Sequence, residues 1–287
     1  MQDVALSWQQ AACLTAGLAA VGAALSAARN RRARTLAPFV RETAMISGLY
    51  AVWQLAGTLS LGGTGSALSR AKWIERVERD WGLPSEASVQ HGLTGHSAFV
   101  AQLANLYYAT MHFGTLFVFL LWLFVRHRDR YRQVRRVLAL TTLACLLIQL
   151  VPVAPPRMLP AGYGFVDTAS RYGQSVYGHG FDADQLSAMP SVHVAWAVLI
   201  AWACVRIGRG PWRWLGVAHA VLTVLVVVST ANHFWADGIV AVAVLALCAA
   251  LCHAAERAIA RLRLGDAARV DLSTAADGAI LPLEEAR

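Results

Sequence analysis

Seven apolar runs, at roughly 11–28, 43–61, 107–125, 137–153, 190–207, 214–231 and 236–254, set what this 287-residue chain can become. Each approaches the ~20 residues that a helix needs to cross a bilayer. In hydrocarbon every backbone N–H and C=O must be paired within the spanning structure, and apolar runs of this length meet that demand as helices. With 57% hydrophobic and 15% charged residues, the chain also lacks the polar surface of an ordinary soluble domain. The expectation is an all-α, polytopic membrane helix bundle of seven spans, the second being the weakest.

A net charge of +8 could suggest a nucleic-acid partner, but the basic residues are gathered in short gaps between spans. Five arginines fill 29–41, six fill 126–136, and Arg206, Arg209 and Arg213 fill the next odd-numbered gap. Such clusters report orientation and belong on the cytoplasmic side. By alternation 62–106, 154–189 and 232–236 face outward, with an extracytoplasmic N-terminus and a cytoplasmic C-terminus. No nucleic-acid partner is expected. MQDVALSWQQ, ahead of the first run, has no basic residue, so the run reads as a retained anchor and not a cleaved signal peptide. All five cysteines (Cys13, Cys145, Cys204, Cys248, Cys252) fall inside apolar runs, which offers neither a disulfide framework nor a zinc spacing.

No internal repeat divides the chain. Residues 1–42 read as an N-terminal anchor with its basic loop, 43–255 as a membrane-embedded core, and 256–287 as a cytoplasmic tail. Within the core, 66–90 mixes charges around Trp73, Ile74, Val77 and Trp81, a spacing that predicts a helix lying on the outer membrane surface. The outward loop 154–189 is rich in glycine (Gly162, Gly164, Gly173, Gly178, Gly180) and tyrosine (Tyr163, Tyr172, Tyr177), as expected of a lid.

Three short stretches at outer span ends carry groups that can do chemistry: PVAPPRML at 152–159, SAMPSVHVAW at 187–196 and ANHFWAD at 231–237. Pro190 and Ser191 open the fifth span, and the free N–H groups of a helix start favour an anion. A phosphate there would meet those donors, the Ser191 hydroxyl and Arg157, whose planar fork stays charged and can hold two phosphate oxygens. His233 and Asp237 lie one turn apart on a common face. If Asp237 accepts from one ring nitrogen, the other is left as a lone pair aimed at substrate, which makes a nucleophile. His193 can then protonate a departing oxygen. Ionisable groups at membrane depth cost on the order of 2.5–3.5 kcal/mol, so their presence on a shared face favours function over structure. His112, His219 and His253 read instead as structural hydrogen-bonding residues, while His91, His96, His127 and His179 lie in polar surroundings.

Together these stretches resemble the type 2 phosphatidic acid phosphatase superfamily, which shares its site with vanadium-dependent haloperoxidases. Its pattern is K-x6-R-P, then P-S-G-H, then S-R-x5-H-x3-D. Arg157 matches the first arginine, PSVH at 190–193 the second motif, and His233 with Asp237 the end of the third, a likeness covering about residues 100–255. Leu150 stands where the lysine belongs, Met158 where the proline follows, Val192 for the glycine and Val227 for the second arginine. The thinner pattern looks more like the aureobasidin-resistance branch, which includes inositol phosphorylceramide synthases, and like sphingomyelin synthases, which transfer phosphorylated headgroups between lipids. The resemblance implies a six-helix core plus one extra N-terminal span, with His233 as nucleophile forming a phosphohistidine. It further implies Asp237 as its orienter, His193 as acid and later base, and Arg157 and Ser191 as phosphate cradle, with no metal or cofactor. Arg171 in the outward loop is a candidate for part of the missing positive charge.

The expected function is an integral membrane lipid-phosphate phosphotransferase or phosphatase, with a polyol or lipid as possible acceptor. A phosphodiester carries one negative charge and needs fewer cations than a monoester, which leans toward headgroup transfer. Hydrolysis, for instance of a polyprenyl phosphate, remains open, as do a transporter with a His/Asp relay and a lapsed enzyme kept as a scaffold. Haloperoxidase chemistry is disfavoured by the depleted cationic cradle. Lys72 is the single lysine, and with heavy Ala and Arg usage it hints at a GC-rich bacterial genome and so at a plasma membrane.

Overall fold

The computed structural model describes residues 7–58, 63–175 and 184–278. The expectations placed on 1–6, on the end of the second run, on Tyr177, Gly178, His179 and Gly180 of the outward loop, and on 279–287 lie outside the described residues.

Among the described residues, each apolar run is largely helical. Helix α1 (Trp8–Ala27) starts from a reciprocal cap: the Ser7 hydroxyl accepts from Gln10 N–H, and the Gln10 side chain accepts from Ser7 N–H. It pairs along its length with α2 (Arg31–Thr58). Helices α3 (Thr64–Asp80) and α4 (Glu86–Thr94) come next, then α5 (Ala98–Arg126), α6 (Arg128–Ile148) and the short α7 (Thr168–Arg171). Helix α8 (Val192–Ile207) and α9 (Trp214–Ser229) form a second close pair, and α10 (Trp235–Gly278) ends the described chain. Four helical stretches (Trp8–Ala27, Ala98–Arg126, Pro211–Ser229 and Trp235–Leu262) are long and apolar enough to cross a membrane. Val192–Ile207 is apolar but shorter, and α2 and α6 begin in arginine-rich turns. Together with the large apolar side chains left exposed, such as Phe117, Val118, Leu121 and Leu215, this is an integral membrane protein, all-α among the described residues.

Three boundaries differ from the sequence reading. The basic stretches 29–41 and 126–136 are mostly first turns of α2 and α6, because arginine is a good helix former and can reach water from a helix end. These turns meet: Glu42 pairs with Arg135, and Phe124 packs edge-on against both Phe39 and Tyr131. The stretch 66–90 is broken into α3 and α4 at Gly82, whose φ of +71° is left-handed, and at Pro84. Its buried face is Ala67, Ala71, Ile74 and Glu78, while Trp73 and Trp81 are 61% and 75% exposed. Helix α10 continues through residues expected to form the tail. Met1–Leu245 forms one compact unit and Ala246–Arg287 another.

Two buried clusters lie in the first unit. One joins the α3 face to Val153, Ala154, Leu159, Leu186, Ala188 and Phe234. The other joins Ala104 and Tyr108 of α5 to Val194, Ala195, Val226, Val227, Val228 and Ala241. The first cluster thus lies where α6 ends and α8 begins, a helix length from the basic first turn of α6.

Candidate active site

Gln149, the residue that ends α6, donates through Nε2 to the carbonyls of Ser187 and Pro190 at 3.2 and 2.9 Å. This ties the end of α6 to the entry of α8. The chain then runs extended through Pro152 and Pro155, with Val153 N–H donating to Leu186 and Val153 C=O accepting from Ala188. A single 3-10 turn, Pro156–Met158, presents Arg157. Its backbone N–H donates to Ala231 C=O at 3.0 Å, and its Nη1 donates to Asn232 Oδ1 at 2.6 Å. Its Nε lies 3.6 Å from Asp167 Oδ2, and the side chain is 3% exposed.

Helix α8 starts at Ser191, fully buried, whose Oγ accepts from Val194 N–H and whose own N–H donates to Asp237 C=O at 3.1 Å. Pro190 precedes this cap and is not the first helical residue, since serine with a side-chain acceptor takes the N-cap position itself. His193, the second helical residue, stacks on Tyr108 at 4.7 Å and meets His112 edge-on at 4.2 Å between ring centroids.

Between α9 and α10 the chain turns through Ala231, whose φ of +53° is left-handed and unfavourable by roughly 1–2 kcal/mol for a residue with a Cβ. The turn lets Asn232 and His233 both donate their N–H groups to Val227 C=O. Asp237, in the first turn of α10, accepts from Phe234 N–H at 2.9 Å, as an acid at the third helical position does in a capping box. His233 Nδ1 lies 2.8 Å from Ala188 C=O and 3.3 Å from Asp237 Oδ2. A carbonyl only accepts, so Nδ1 carries the hydrogen and Nε2 holds the lone pair. Nε2 is buried and has no hydrogen-bond partner among the described residues. The His193 and His233 rings are 5.6 Å apart.

Arg157, Ser191, His193, His233 and Asp237 are therefore gathered where α8 and α10 begin. Arg171 is elsewhere: exposed, 5.8 Å over the Tyr172 ring, it lines a cavity of about 100 Å³ with Gln90, His91 and Thr94. The described part of the outward loop is clamped, with Gln90 bonding both the N–H and the C=O of Val166 and Thr168 Oγ1 donating to Asn105. Among the described residues no group of three or more His, Cys, Asp or Glu could hold a metal ion.

Four residues to which the sequence reading gave no role in the candidate site lie against it, His112 having been read as structural. Asn232 and Asp167 touch the Arg157 guanidinium, and Tyr108 and His112 touch His193. Asn105, Tyr108 and His112 recur at helical spacing on the otherwise apolar α5, and that one-faced polarity was the available signal.

Buried polar groups gathered at helix starts in an apolar helical bundle are the kind of arrangement that can accept an anion. A family model described as the PAP2 superfamily matches residues 72–251, and the chain belongs to that superfamily. Membership supports a phosphatase-type enzyme acting on a lipid phosphate at a membrane. Comparison with curated proteins finds no match, and comparison with solved structures finds none either.

Proposed function

We propose that the chain transfers the phosphorylated headgroup of a membrane lipid through a phosphohistidine at His233, from the extracytoplasmic side of a bacterial plasma membrane. The observation that carries the reading is the buried, unpartnered Nε2 of His233, held in its tautomer by Ala188 and Asp237 and facing His193. Nε2 attacks phosphorus and the bond to the leaving oxygen breaks, with His193 delivering a proton to that oxygen. An acceptor hydroxyl, from a polyol, a lipid or water, then gives its proton back to His193 and displaces His233. Arg157, the Ser191 hydroxyl and N–H groups of the α8 start neutralise the phosphoryl oxygens.

Transfer of a diester headgroup is favoured over hydrolysis of a monoester by the small positive charge. Asp167 already offsets part of the Arg157 charge, Val227 is buried among apolar neighbours where an arginine would supply a second cation, and Arg171 lines a separate cavity. The test is to give purified protein labelled lipid phosphates of both kinds in detergent, with and without inositol or another polyol. Transfer to the polyol is expected, and label should be trapped on the wild-type chain but not on His233→Ala. His193→Ala should slow trapping most, by about 10²–10⁴-fold, when the leaving group is poor. Release of phosphate without transfer makes the enzyme a hydrolase, and neither release nor transfer across the panel overturns the proposal.

A further inference from the structure

The first turn of α10 is covered from above by two acids that the mechanism does not use. Glu78, on the buried face of α3, accepts from Ala236 N–H through Oε1 at 2.5 Å. Glu86, the first residue of α4, accepts from Trp235 N–H through Oε1 at 3.3 Å, and Pro84 C=O accepts from the Trp235 indole at 2.8 Å. With Asp237 on Phe234 N–H, three successive free donors of this helix start are each met by a carboxylate. Glu78 and Glu86 are 3% and 4% exposed, and Glu78 Oε2 meets no donor among the described residues. One helix start carries only about half a positive charge, too little for three buried anions. Two carboxyls this close and this dry relieve the strain by sharing one proton.

We propose that Glu78 and Glu86 hold a single proton between them and together act as positioning residues for His233, pinning the start of α10 to the α3–α4 pair. The inference rests on the role proposed for His233. Loss of the shared proton sets a second charge against Asp237 and releases the turn that carries the nucleophile. The titratable groups facing Glu78 are Glu86 from α4 and Asp237 from α10. Of the loop side chains packed on the α3 face (Val153, Ala154, Met158, Leu159, Tyr163, Phe165), Tyr163 is the one that ionises. Burial, then the hydrogen bond with Glu86, raises the Glu78 carboxyl from 4.5 to about 9.

Below about 4.5 folded and unfolded chains both hold the proton, and between 4.5 and about 9 only the folded chain does. Stability therefore falls as pH rises through that window and levels off above it. Glu78→Gln keeps an acceptor for Ala236 and a donor for Glu86 but cannot ionise. Its melting temperature, minus that of the wild type, is expected to grow steadily across the window, and parallel curves overturn the shared proton. Activity reads a different limit: with a labelled lipid phosphate, wild-type kcat/KM should fall about tenfold per pH unit above the folded-state value, and that limb should be lost in Glu78→Gln. A residue that merely caps the helix would alter melting and leave the limb in place, and an unmoved limb overturns the positioning role. A chain inactive on every lipid phosphate overturns the role of His233, while the melting series still decides the proton pair. Should the variant fail to fold, infrared spectra of the wild type decide: a protonated carboxyl band lost on raising pH past about 9 is expected, and its absence overturns the pair.

Discussion

Asn232 shows how one residue links the two halves of the site. Its Oδ1 accepts from Arg157 while its Nδ2 donates to Thr230 Oγ1 at 2.8 Å, so the amide is aimed by one partner and aims the other. Asn232→Ala leaves a buried guanidinium short of an acceptor, a loss worth about 1.5–3 kcal/mol for a charged hydrogen bond. We expect kcat/KM on a lipid phosphate to fall about 10–100-fold, with a smaller change in melting temperature. Asn232→Asp should fare worse, because a second carboxylate beside Arg157 opposes the incoming anion. The amide's role was hidden in the sequence, since its partner lies 75 positions away. His233 and Asp237 were legible because a single helical turn separates them, yet their geometry was only half readable. The shorter bond to His233 comes from a backbone carbonyl at Ala188, and carbonyls leave no mark on a sequence.

At the scale of elements, the α8–α9 pair sets how firmly His193 is held. A Cβ added at Gly216 would lie 2.8 Å from Cys204 Cβ and 3.2 Å from Ala201 Cα, so the two backbones approach as closely as a hydrogen side chain permits. Gly216→Ala should push the pair apart and cost about 1–3 kcal/mol, read as a lower melting temperature in detergent, and Gly216→Leu should cost more. Of the seven expected spans, four are helices long and apolar enough to cross a membrane, and these could be read from apolar length alone because hydrocarbon imposes that requirement on each helix separately. Their ends could not. Arginines extended α2 and α6 beyond their apolar parts, and the surface helix split at Gly82. Trp73, Ile74, Val77 and Trp81 were read as one face of a surface helix, whereas Ile74 is buried with Ala67 and Ala71 and both tryptophans are exposed. Amphipathic patterning identifies a surface helix without saying whether its large residues meet protein or lipid.

For the whole molecule, the arginine clusters and the catalytic candidates sort to opposite ends, as the charge rule requires of a single orientation. Ser88 on α4 and Arg130 on α6 are both exposed. In intact cells, Ser88→Cys should react with a membrane-impermeant maleimide above the wild-type background, and Arg130→Cys should react only after the membrane is opened. The reverse pattern would turn the site toward the cytoplasm. On the proposed function, a site at that end would take up the phosphate of a lipid whose tails stay in the bilayer.

The Arg157–Asp167 contact gives that arrival a particular character. The guanidinium is never bare: a carboxylate from the rim rests against Nε before any phosphate comes. If Arg157 holds phosphate as proposed, substrate entry is an exchange of one anion for another, with Asp167 as the resident that must yield. Affinity would then be the difference between two similar attractions, and a free phosphate would gain little by binding there. Only an anion that brings something more, such as a tail anchored in the surrounding membrane, has reason to stay.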